Sequence, residues 1–137
     1  MSLDDSNRAL LVKMQMEKAR LDMQTAAVLV RDNYTSAAAG RIYFAVFHAV
    51  SALLIHAGIR VKSHKGAYTM FCLQYVNTGK MPQKYGKWYR DLEVLREESD
   101  YNCFYDVTVD DLLRYTDQAQ EMIDTIARMV EEKGEKR

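Results

Sequence analysis

The sequence predicts an all-α fold, an up-and-down four-helix bundle with a short extra helix or helical turn before the last helix, and three observations carry that prediction. Apolar residues recur at steps of three and four through several long stretches, the spacing of one helical face. A single Pro and 6 Gly leave little material for the many turns of an all-β fold. Apolar residues make up 48% and charged residues 28%, an ordinary globular balance, and 137 residues fit one domain with a core of its own. One domain over residues 1–137 is therefore expected, with residues 1–6 and the charged 131–137 frayed.

The first helix is expected over about residues 7–31. Ala9, Val12, Met16, Ala19, Met23, Ala26 and Val30 make a sustained seam for packing on another helix. Leu10, Met14, Leu21 and Val28 form a second stripe on roughly the opposite side, which needs either another helix of the chain or a subunit contact; a homodimer is the expectation. Asp32-Asn33-Tyr34-Thr35-Ser36 reads as a turn with capping residues. An apolar run over 37–57 then has the length and composition of a buried helix, with the small Ala37, Ala38, Ala39 and Gly40 suited to close backbone approach and Gly58 suited to its C-cap.

Ser63 can cap a helix over about 64–77, after the basic connector Arg60-Val-Lys-Ser-His-Lys-Gly66. Gly79 ends that segment, and Pro82 suits the first turn of the next. Over 83–99, Tyr85, Trp88, Leu92 and Leu95 give one apolar face, with Lys84, Lys87 and Arg90 on much of the other. Aromatics interleaved with cations can stack bases and hold phosphates, although Tyr85 and Trp88 at this spacing also suit a core. Thr108-Val-Asp-Asp111 matches a capping box, and Val109, Leu112, Thr116, Ala119, Ile123, Ile126 and Val130 follow as the cleanest seam of the chain.

Chemistry concentrates in Arg41-Ile-Tyr-Phe-Ala-Val-Phe-His48. Seven helical residues are almost two turns, so Arg41 and His48 share one stripe roughly 10 Å apart along the axis, and Phe44, Ser51 and Ile55 continue it. An unpaired guanidinium is costly to bury, so the stripe must face a carboxylate or line a cleft open to water or an anion. Metal-independent RNA cleavage needs such a pair: a group titrating near neutrality to move the 2′-hydroxyl proton, and a fixed cation to hold the phosphate.

Formal net charge is zero, yet no Asp or Glu lies between Asp32 and Asp91, an interval holding Arg41, Arg60, Lys62, Lys65, Lys80, Lys84, Lys87 and Arg90. Either one side of the molecule is positive and suits a phosphate-rich partner, or the acidic flanks fold back and neutralise the middle. Cys72 and Cys103 show neither CxxC nor zinc-ligand spacing, so no metal and no cofactor is expected and a reducing cytoplasm fits. Arg41 and His48 interrupt the longest apolar run, so no membrane span is expected either. No nucleophile elbow, Gly-rich phosphate loop or HExxH pattern is present.

Gly40-Arg-Ile-Tyr-Phe-Ala-Val-Phe-His-Ala49 resembles the Arg-x4–6-His signature of the HEPN family (higher eukaryotes and prokaryotes nucleotide-binding domain). Lys62-Ser-His-Lys-Gly66, Thr78-Gly-Lys-Met-Pro82 and Leu95-Arg-Glu-Glu-Ser-Asp-Tyr101 are similar to blocks of its small stand-alone prokaryotic branch, so the likeness runs from about residue 19 to 126. The resemblance implies a dimer whose Arg/His helices meet at a composite cleft. In active members that cleft is a metal-independent endoribonuclease site, often the toxin of a toxin–antitoxin pair whose antitoxin is a minimal nucleotidyltransferase. Carried over, Arg41 and His48 are the catalytic candidates: Arg41 would hold the scissile phosphate, and His48 would act as base or orient the 2′-hydroxyl.

Lys62, Ser63, His64, Lys65, Lys84, Lys87, Arg96 and Tyr101 are the candidate RNA- or nucleotide-binding residues. Two positions depart from the pattern. Ile42 stands where active members often have a polar residue, and Val50 stands where some carry a nucleotide-accepting Tyr, so modification there is not expected. Three readings follow: an RNA-binding protein with ribonuclease activity; a non-catalytic module that binds a nucleotide or docks on a nucleotidyltransferase; and a structural bundle with Arg41 paired to Glu97, Glu98 or Asp100.

Overall fold

The computed structural model describes residues 5–131. Among the described residues five α-helices carry the fold: α1 Asp5–Arg31, α2 Thr35–His56, α3 His64–Phe71, α4 Gln83–Tyr101 and α5 Val109–Glu131, with a π-helical turn at Cys72–Val76 directly after α3. The short element is thus α3 with its turn, between two long helices and before the α4–α5 pair. Residues 5, 6 and 131 are helical, and the fraying expected of 1–4 and 132–137 lies outside the described residues.

Helix α2 is the centre, packed on α1, α4, α5 and α3. It is long and apolar enough to cross a membrane by length and composition, contrary to the reading that Arg41 and His48 break the run, but here most of that surface is covered by the neighbouring helices. Ile42, Ala45, Val46, Ala49, Val50 and Leu53 are buried in the core. Its small residues bring α1 close: Ala38, Ala39, Ala45 and Ala49 on α2, like Ala19 and Ala26 on α1, are wholly buried. Gly40 does not contribute to that approach, since a Cβ there would meet nothing within 4 Å.

The α1 seam is buried from Val12 through Met16, Ala19, Met23 and Ala26 to Val30, while Ala9 stays exposed. Leu10, Met14, Leu21 and Val28 of the second stripe are 45–60% exposed, so none of the described helices covers them. On α5, Leu112, Ala119, Ile123, Ile126 and Val130 are buried as the spacing requires.

Two matching turns fix the α1–α2–α3 path. Asn33 (φ 67°) ends α1 in the left-handed region, with its N–H donating to Val30 O at 3.1 Å and that of Tyr34 to Leu29 O at 2.8 Å. Gly58 (φ 77°) ends α2 identically, through Gly58 N–H to Ile55 O (2.9 Å) and Ile59 N–H to Leu54 O (2.8 Å). Both are Schellman motifs, which satisfy orphan carbonyls and reverse the chain in a few residues. At the start of α2 the expected side-chain cap is absent: Tyr34 is the N-cap and makes no such bond.

Ser63 Oγ accepts from Gly66 N–H at 2.9 Å, and Thr108 Oγ1 from Asp111 N–H at 3.0 Å, so both predicted caps form. The helix expected over 64–77 widens into the π turn after Phe71, where Asn77 N–H donates to Cys72 O at 2.8 Å. The wider turn lets Phe71, Tyr75 and Val76 all face the core. Helix α4 presses on it at Gly86, where a Cβ would come within 3.5 Å of Cys72 Sγ and Val76 Cγ1.

Because Asn tolerates the left-handed conformation and Ala does not, Asn33→Ala should destabilise the fold by about 1 kcal/mol, whereas Asn33→Gly should be neutral or slightly stabilising. Urea midpoints of the two variants check this. Equal loss in both would show that the Asn side chain, not the backbone angle, matters.

Candidate functional site

Arg41 and His48 project toward α1, and one carboxylate meets both. Asp22 is the sole buried charged side chain among the described residues. Its Oδ1 accepts from Arg41 Nη1 at 3.0 Å, and its Oδ2 lies 3.7 Å from His48 Nε2. The two groups, two turns apart on α2, are therefore brought within the span of one carboxylate. They open into a hollow of about 270 Å³ lined by Lys18, Leu21, Asp22, Arg41, Phe44 and His48. The Arg41 side chain is 42% exposed and that of His48 20%, so a guest from solvent reaches both.

The other imidazole nitrogen is held from α1 as well: His48 Nδ1 lies 2.8 Å from Gln15 Oε1. A carbonyl oxygen only accepts, so this contact selects the tautomer protonated at Nδ1 and leaves Nε2 unprotonated on the neutral ring. Burial pushes the His48 pKa below the ordinary 6.5, with Asp22 acting in the opposite direction and Lys18, Arg41 and His64 reinforcing the decrease. Desolvation is the largest of these contributions, ahead of the single carboxylate. At neutral pH the ring is a base ready to accept a proton at Nε2.

Arg41 spends one of its five N–H donors on Asp22. Its guanidinium carbon also lies 5.6 Å from the Phe44 ring centre, and Arg96 from α4 reaches the same ring at 5.1 Å and that of Tyr43 at 5.5 Å. A second guanidinium is thus fixed at the edge of the hollow by cation–π contact. Arg96 Nε lies 3.3 Å from Asp100 Oδ2 but is poorly aligned and forms no hydrogen bond.

A sequence profile of the HEPN domain matches residues 12–136. This chain belongs to the HEPN domain family. A "UPF0332 protein" of Thermotoga maritima is 27% identical over 122 residues, covering 89% of this chain and 92% of that protein. Two proteins of Methanocaldococcus jannaschii that bear the name "Putative toxin" are 33% identical over 86 residues (63% of this chain, 64% of theirs) and 25% identical over 92 residues (67% and 63%).

Within this HEPN domain, the structure separates the remaining candidate residues into two groups. His64 lies beside the hollow, its ring centre 4.3 Å from that of Phe47, which in turn is 5.5 Å from His48. Lys62, Ser63 and His64 line a neighbouring groove, and Lys65 is exposed on the first turn of α3. Lys84 and Lys87 are engaged elsewhere: Lys84 bridges to Glu121 at 3.1 Å and sits 4.8 Å from the Trp88 ring centre, and Lys87 bridges to Asp91 at 2.7 Å. Tyr85 is buried, with its hydroxyl donating to Glu121 at 2.9 Å, while Tyr101 is 79% exposed at the end of α4.

The structure corrects the pairing considered for Arg41: its partner is Asp22 on α1, whereas Asp100 neighbours Arg96 and Glu98 accepts from Asn102. Ile42 is wholly buried, so the position after the arginine belongs to the core of this protein. Asp22 and Gln15 are the site residues that sequence reasoning missed. Asp22 interrupts the apolar α1 seam between Ala19 and Met23, and that interruption was the available signal. Among the described residues no group of three or more His, Cys, Asp or Glu could hold a metal ion.

NMR titration of the His48 ring should give a pKa below 6.5, and Asp22→Asn should lower it further by removing the contribution that raises it. Linkage gives the sign for stability. A folded-state pKa below the unfolded value means stability is full above pH 6.5 and declines as pH falls through the folded pKa, because the unfolded chain takes the proton first. A midpoint above 6.5, or an upward move in Asp22→Asn, would contradict the assignment.

Proposed function

We propose that this HEPN protein binds RNA in the hollow and cleaves it without a metal ion, as the toxin of a toxin–antitoxin pair acting in the cytoplasm. One observation carries the reading: a guanidinium and an imidazole, both held by α1, converge on one solvent-open hollow. The names borne by the two archaeal relatives support the toxin assignment.

In the proposed step His48 Nε2 takes the 2′-hydroxyl proton, O2′ attacks the adjacent phosphorus and the P–O5′ bond breaks. The products are a 2′,3′-cyclic phosphate and a 5′-hydroxyl whose proton comes from solvent. The Arg41 donors not used on Asp22 face the charge that builds on the phosphoryl oxygens. Leu21 belongs both to the hollow and to the uncovered stripe on α1, so a second copy docking on Leu10, Met14, Leu21 and Val28 would wall the hollow and make it composite. A minimal nucleotidyltransferase is the proposed antitoxin partner.

Purified protein incubated with single-stranded RNA in EDTA should leave 2′,3′-cyclic phosphate ends, and Arg41→Ala or His48→Ala should each reduce the rate at least a hundredfold. The rate should rise with pH to a midpoint below 6.5 and be flat above neutrality. Intact RNA with salt-sensitive binding lost in both variants would instead favour the non-catalytic reading, in which the Asp22–Arg41 pair tunes nucleotide or partner binding. Binding unaffected by either substitution would refute both.

Asp22→Ala removes a charge that competes with phosphate for Arg41. Fluorescence anisotropy should therefore show severalfold tighter RNA binding at low salt, alongside slower cleavage because His48 loses its anionic neighbour. Sedimentation should show a dimer for the parent and a monomer for Leu10→Glu/Val28→Glu.

A further inference from the structure

One turn beyond the hollow along the α1–α2 seam lies a larger groove of about 780 Å³. Its floor is apolar, made by Leu54, Ile55 and Val61, and Phe47 supplies an aromatic wall. Three cations, Arg8, Arg60 and Lys62, stand around it, and among the described residues no carboxylate belongs to its lining. Among the described residues none of the three is held in an ion pair, whereas the cations of α4 are neutralised locally: Lys84 by Glu121, Lys87 by Asp91 and Arg90 by Glu93.

An apolar, aromatic-walled floor beneath unneutralised cations is complementary to a flat hydrophobic group carrying a phosphate, and the volume falls within the usual range for a small-ligand site. Gln15 joins the groove to the hollow: it lines the groove, and its Oε1 is the atom 2.8 Å from His48 Nδ1. The α2 stripe runs through both spaces, Arg41, Phe44 and His48 in the hollow and Ser51 and Ile55 in the groove.

We propose that this groove is a second binding site, which takes one nucleotide of an RNA strand, its base on the apolar floor beside Phe47 and its phosphate among Arg8, Arg60 and Lys62. The placement of that nucleotide next to a scissile phosphate rests on the reading of the hollow as a cleavage site. Nucleotide binding in the groove does not depend on it. Gln15, within reach of the bound nucleotide and of His48, is the residue through which an occupied groove sets the orientation of the imidazole.

The test uses the full chain with 13C-labelled Ile and Val methyl groups, titrated separately with adenosine 5′-monophosphate, adenosine and inorganic phosphate. The nucleotide should shift the methyl signals of Ile55, Ile59 and Val61, and bind more tightly than adenosine or phosphate alone. Arg60→Glu/Lys62→Glu should weaken it at least tenfold, while an equal charge reversal elsewhere, Arg90→Glu/Arg128→Glu, should not. Shifts confined to methyl groups outside the groove, no shift at millimolar nucleotide, or equal affinity in both double variants would overturn the proposal. Groove shifts in a protein that leaves RNA uncut would uphold it and count against cleavage alone. Cleavage at parental efficiency in the Arg60→Glu/Lys62→Glu variant, together with no groove shift, would leave cleavage standing and remove the second site.

Discussion

The arrangement depends on a single buried carboxylate. An apolar central helix that carries an arginine and a histidine on one stripe packs more favourably against a second apolar helix when a carboxylate meets them, because the partly covered guanidinium loses some of its hydration. Asp22 supplies it from α1, meeting Arg41 at 3.0 Å and standing 3.7 Å from His48. Around it the interface is tightly packed hydrocarbon, with Ala19, Met23 and Ala26 buried on α1 and Ile42, Ala45 and Ala49 on α2. Within that seam the carboxylate engages one Arg41 donor and leaves the others available to a guest.

Helix α2 combines two demands that ordinarily conflict. It is apolar enough for a membrane span, and it bears the chemistry of the molecule. Both are met because α1, α4 and α5 together cover most of its surface while a strip at the edge of the α1 seam stays partly open. That strip runs from Arg41 to Ile55 and crosses two adjoining spaces, one small and charged, the other larger and apolar with a cationic rim. Gln15 belongs to the larger space and touches the histidine of the smaller, so the two are mechanically connected through one side-chain amide.

The long interval without acids divides in two once folded. On α4, Lys84 is bridged by Glu121 of α5, as folded-back acidic flanks require, whereas Lys87 and Arg90 pair within the helix with Asp91 and Glu93. In the α2–α3 half Arg41 is paired with Asp22, whereas Arg60 and Lys62 beside the groove have no ion-pair partner among the described residues. Positive potential is therefore concentrated where the concave surface is, although net charge is zero.

Local sequence chemistry determined the helices and most of their ends. The three- and four-residue spacing on α1 and α5, the caps at Ser63 and Thr108, and the glycine after α2 act within a few residues and need no distant partner. The Arg41/His48 stripe was legible for the same reason, since helical geometry alone aligns residues seven apart. What tertiary structure decided was pairing. Whether Arg41 met Glu97, Glu98, Asp100 or Asp22 depends on which helix packs beside α2, and so does the close contact of α4 with the π turn at Gly86. The roles of Asp22 and Gln15 were hidden likewise, because a carboxylate or an amide on an amphipathic helix has no assigned partner until the neighbouring helix brings one within hydrogen-bonding reach.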